Sequence, residues 1–64
     1  MMTANDLINT LCGFPGTRKV SAPLKILKAT LLQTDGWMHV NGVQYTIKSE
    51  RQCPGIYRVW LEAH

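Results

Sequence analysis

Sixty-four residues leave room for one domain, residues 1–64, and a chain this short buries only about 60% of the surface it exposes when unfolded. So small a core gives little from which to carve a deep catalytic cleft, while 45% hydrophobic and 17% charged residues favour a folded chain over a disordered one. A net charge of +3 and a pI near 9.2 suit an acidic partner such as nucleic acid or an anionic surface.

In chain order, Thr3-Ala4-Asn5-Asp6 has the spacing of a capped helix start, with an acid at the third helical position. Ala4, Leu7, Ile8, Leu11 and Cys12 then share one face, and Asn5, Asp6, Asn9 and Thr10 the other. Gly13 is expected to take the left-handed cap, with Phe14 folding back beside it, and Pro15-Gly16 stops the helix. Thr17-Arg18-Lys19-Val20 fits either one helical turn or a short extended link. Ser21 is placed to cap a second helix, with Pro23 in its first turn, where a missing N–H costs nothing. Along that helix Leu24, Leu27 and Leu31 form an apolar stripe widened by Ile26 and Thr30. Lys25, Lys28, Ala29 and Gln33 point away from it, with Leu32 among them.

Asp35-Gly36 closes this helix, and a hairpin follows at once around Asn41-Gly42. That turn needs positive φ at both central residues, which Asn-Gly adopts at low cost. A two-residue loop sets Val40 opposite Val43, Met38 opposite Tyr45 and Trp37 opposite Thr46. Val40, Val43, Met38, Tyr45 and Ile47 then face the core, and Trp37, His39, Gln44, Thr46 and Lys48 face away. Ser49 to Gly55 reads as a polar loop, and Ile56 to Leu61 as a third strand. Its preferred phasing buries Tyr57, Val59 and Leu61 and puts Arg58 and Trp60 outside with Trp37; the opposite phasing also buries large residues. The expected fold is α+β, two helices followed by a three-stranded antiparallel sheet.

Cys12 and Cys53 form no CxxC pair, and two cysteines are too few for a disulfide-built miniprotein, so a reducing compartment is expected. No apolar run approaches the ~20 residues of a membrane span, and no signal-peptide pattern is present. The chain reads as soluble and cytoplasmic.

Little here suggests chemistry. The histidines, His39 and His64, and the acids, Asp6, Asp35, Glu50 and Glu62, are scattered, and no pair of carboxylates shares a helix face. A nucleophile, a base and an orienting group within reach are not evident, so no enzyme activity is expected. The cysteine and histidine spacings match no zinc pattern, and Gly13-Phe14-Pro15-Gly16 lacks the Lys-Ser/Thr of a phosphate loop. No metal or cofactor is expected.

Two surfaces suggest partners instead. Arg18, Lys19, Lys25 and Lys28 gather at the start and outer side of the second helix, with Lys48, Arg51 and Arg58 further on. Dispersed cations beside a helix N-terminus suit phosphates, and Ser21, Lys25, Lys28 and Gln33 could reach phosphates or base edges from a major groove. The plainer alternative is a solvated lysine face. The second surface comprises Trp37, Trp60 and Arg58, edged by His39 and Lys48. Tryptophan and arginine anchor protein interfaces, and the same mixture stacks single-stranded bases. Otherwise both rings pack against neighbouring segments of the chain.

The run Leu24-Lys25-Ile26-Leu27-Lys28-Ala29-Thr30-Leu31-Leu32-Gln33-Thr34-Asp35-Gly36-Trp37, with Gly42-Val43-Gln44-Tyr45-Thr46-Ile47, resembles the reading helix and wing of the winged helix-turn-helix superfamily. The resemblance spans residues 17 to 48 and carries no diagnostic motif. It implies a degenerate winged-helix-like fold in which Lys25 and Lys28 take the helix role and His39, Asn41 and Gln44 the wing role. The expected function is therefore a small duplex-DNA-binding regulator, of a size and composition that fit a phage or bacterial open reading frame. The alternative is a protein-interaction module acting on a larger enzyme through the tryptophan face, which could also mediate a homodimer.

Overall fold

The computed structural model describes residues 2–16 and 18–63; Thr17 and His64, considered above, lie outside the described residues. The elements are α1 (Ala4–Gly13), β1 (Val20–Pro23), α2 (Leu24–Thr34), β2 (Trp37–Val40), β3 (Val43–Cys53) and β4 (Ile56–Ala63). The fold is α+β, and its antiparallel sheet has four strands, not three, in the order β1-β4-β3-β2. β1 comes from the stretch before Pro23. A residue preceding proline is pushed out of the helical region, so Ala22 is extended and the chain pairs instead with β4, Val20 opposite Val59 and Pro23 opposite Ile56.

This strand corrects the expected cap of the second helix. Ser21 lies within β1, its hydroxyl donating to Gln52 Oε1 at 2.8 Å, and Pro23 is the N-cap with no side-chain hydrogen bond. The Leu24 N–H at the head of α2 donates to the Gly55 carbonyl at 2.9 Å, tying the helix start to the β3–β4 turn. At the N-terminus the capping box forms as expected: Asp6 N–H donates to Thr3 Oγ1 at 3.2 Å, and Thr3 N–H to Asp6 Oδ2 at 2.9 Å. The left-handed cap at Gly13 does not form. Gly13 ends α1 with ordinary φ, and Phe14 caps it by donating its N–H to the Leu11 carbonyl at 3.2 Å.

The hairpin register is the one the Asn-Gly loop dictates, with φ of 52° at Asn41 and 81° at Gly42. The expected loop at 49–55 is strand as far as Cys53. β3 pairs with β4 from Tyr45 to Cys53, with a bulge between Arg51 and Cys53, and only Pro54-Gly55 turns the chain. Polar residues on both faces hide that strand from a reading based on alternation, because its end projects where little covers it.

Both helices lie on one face of the sheet. Leu7 and Leu11 from α1 and Leu27 from α2 are buried against Ala22, Met38, Val40, Ile47, Val59 and Leu61. The expected strand faces hold, except that Val43 at the turn is 45% exposed. Thr30 is fully buried, and its hydroxyl donates to the Ile26 carbonyl at 2.9 Å, so the apolar stripe of α2 admits it without an unpaired polar atom. Leu11→Ala is expected to cost about 2–5 kcal/mol, most of the 3–5 kcal/mol or so that a core of this size supplies. Urea denaturation followed by circular dichroism should find the midpoint of that variant well below that of the wild type.

Candidate functional site

The sheet face turned away from the helices is uncovered, and strand alternation fills it with the polar and aromatic residues of all four strands. The registers arrange them in rows. Ser21, Arg58 and Glu50 form one row. Trp60 and Lys48 form the next, with Lys19 alongside Trp60. Glu62, Thr46 and Trp37 make the third, and Gln44 with His39 the fourth. At ordinary strand and residue spacings the two tryptophan Cα atoms lie about 12 Å apart on a diagonal.

Trp37 is 44% exposed, with His39 edge-on to it at 5.2 Å between ring centroids. Trp60 is half-buried, partly because the Lys19 ammonium sits 4.5 Å from its ring centroid. The same ammonium pairs with Glu50 Oε1 at 3.4 Å. Both charges are about half exposed, so the pair itself contributes less than about 1 kcal/mol and acts chiefly to hold Lys19 over the ring. Among the described residues, no strand lies beside the edge of β4 past the Val20–Val59 pair. There Gly16, Arg18 and Lys19 border a recess whose other wall runs from Trp60 to Ala63. Arg18 is drawn towards Phe14, its guanidinium 5.0 Å from that ring's centroid.

The structure divides the expected basic cluster. Lys19 belongs to the open sheet face, whereas Lys25 and Lys28 are exposed on α2, across the sheet from it. Gln33 on α2 is engaged, its Nε2 donating to Asn5 Oδ1 at 3.2 Å. Ser21, His39, Gln44 and Lys48 share the open face with Trp37, Arg58 and Trp60, and Asn41 sits at the β2–β3 turn at the end of that sheet. The tryptophan surface singled out by alternation is thus assembled, while the helix and sheet cations face different ways.

Thr46 lies on this face as expected, and Glu50 and Glu62 join it unforeseen. Glu62 continues the period-two alternation of Arg58 and Trp60 once the last strand extends to Ala63, and Glu50 faces the same way because its polar segment is strand and not loop. Cys12, on the packed side of α1, and exposed Cys53 are free thiols. Among the described residues no three His, Cys, Asp or Glu side chains gather, and no helix is long and apolar enough to cross a membrane. No protein-family model matches this chain, and no curated protein or solved structure gives a significant match.

Lys19→Met keeps the side chain's length and removes its charge. It is expected to shift the NMR signal of the Trp60 indole, to leave that of Trp37 in place, and to change stability by less than about 1 kcal/mol.

Proposed function

We propose that this protein is a small nucleic-acid-binding regulator whose open sheet face, and not its second helix, makes the principal contact, with unpaired strands as the preferred ligand. One observation carries the reading: Trp37 and Trp60 share a single uncovered face with Lys19, Lys48 and Arg58. Exposed aromatic rings offer stacking platforms to unpaired bases, at about 1–3 kcal/mol per base. Neighbouring cations track the phosphates and displace counterions. A sheet of this breadth meets an extended single strand more readily than a groove. Free Cys12 and Cys53 fit a reducing, cytoplasmic setting.

A winged-helix-like contact with duplex DNA draws its support from the order α2, β2, β3 and from exposed Lys25 and Lys28. Its helix residues stand on the opposite side of the molecule from the open face, where its wing residues His39 and Gln44 lie. A protein partner on the tryptophan face is favoured by one specific observation, the two carboxylates Glu50 and Glu62 among its cations, which would repel phosphates and suit a mixed-charge interface.

Titration with single-stranded and duplex DNA at two salt concentrations, followed by tryptophan fluorescence, separates these readings. Tighter binding to single strands is expected. The double variant Lys48→Ala/Arg58→Ala should lower affinity at least about tenfold and reduce the salt slope by about 2, while Lys25→Ala/Lys28→Ala leaves both nearly unchanged. Loss of binding only in the helix variant would move the contact to α2 and the hairpin. Absence of binding to either form at low salt would overturn the nucleic-acid reading and leave a protein partner for Trp37.

A further inference from the structure

Leu32 is the most exposed large apolar side chain among the described residues, at 84%, and it stands in the last turn of α2, two residues before the helix ends at Thr34. Around it Lys28, Leu31, Leu32 and Asp35 line a shallow, largely apolar recess. Lys28, Leu31 and Leu32 keep the i, i+3, i+4 spacing of three corners of the diamond-shaped hole that accepts a knob from a facing helix, and Asp35, the left-handed C-cap just past α2, closes the fourth side. The recess is also polar in a directional sense, with a cation at its N-terminal end and an anion at its C-terminal end.

From these features we infer that α2 is the seam of a two-fold homodimer, packed antiparallel against α2 of a second copy. With the axis between Leu31 and Leu32, each Leu32 enters the other chain's recess. Lys28 then meets Asp35 of the partner subunit, and the symmetry repeats that pair on the other side. A parallel arrangement would instead set like charges together, so the charge pattern selects both the occupant and its direction. Ala29, exposed beside the recess, adds no bulk to hold the helices apart. The patch is small against the roughly 800 Å² per partner of a standard stable interface, so the dimer is weak. It would leave both open sheet faces free, pointing away from the seam, and it does not depend on the nucleic-acid reading.

Sedimentation equilibrium across a concentration series, up to the solubility limit, tests this directly. The wild-type protein should show a concentration-dependent monomer–dimer equilibrium. Leu32→Glu should be monomeric throughout with unchanged far-UV circular dichroism; Leu32→Gln, a milder change, should weaken dimerisation in the same direction. Lys28→Glu should weaken association about fivefold or more, through two symmetric repulsions with Asp35. Adding Asp35→Asn, which tolerates the left-handed backbone there, should recover most of that loss. A monomer at every concentration would overturn the proposal. So would a dimer indifferent to Leu32→Glu, or one that Lys28→Glu leaves unchanged.

Discussion

β4 is hydrogen-bonded on both sides, to β1 and to β3, and its alternating side chains divide the molecule into a dry half and a wet half. Val59 and Leu61 point down into the helices and are almost wholly removed from water, while Arg58, Trp60 and Glu62 point the other way. A slip of one residue in this strand would exchange the two sets, burying three polar or amphipathic side chains and exposing the centre of the core. The other strands take their facing from it through the registers. The one-sided packing of both helices follows, because only one face of the sheet offers apolar surface to cover.

How far the sequence discloses this depends on where each element meets water. The β2–β3 hairpin was legible because Asn41-Gly42 restricts the loop to two residues, and its register then follows from pairing. α1 and the packed face of α2 were legible from the spacing of Leu7, Leu11, Leu24 and Leu27. β1 was not, because Ser21-Ala22-Pro23 carries the residues of a helix start, and its extended state is decided by a distant strand and by the constraint proline places on Ala22. The run from Lys48 to Gln52 shows no alternation because both of its faces are wet, so only its ladder to β4 reveals a strand.

The candidate surface divides along the same line. Trp37, Arg58 and Trp60 could be placed together because alternation alone puts them outside. The approach of Lys19 to Trp60 and Glu50 could not be foreseen, since it exists only once β1 is known to lie beside β4. The same pairing separates lysines that are close in sequence. Lys19 sits on one side of the sheet and Lys25, six positions on, stands on the helix that covers the other, so neighbours along the chain serve surfaces that face in opposite directions.

The pairing of Val20 with Val59 also has a temporal consequence. It joins a strand near the start of the chain to the last strand, and closing so long a loop costs more entropy than turning either hairpin. During synthesis the β2–β3 hairpin can form as soon as its own residues emerge, whereas β1 has no neighbour until β4 is complete. The surface that holds Lys19 against Trp60 therefore forms only once β4 has been made, and an arrested chain that stops before Val59 carries the hairpin and Trp37 without it.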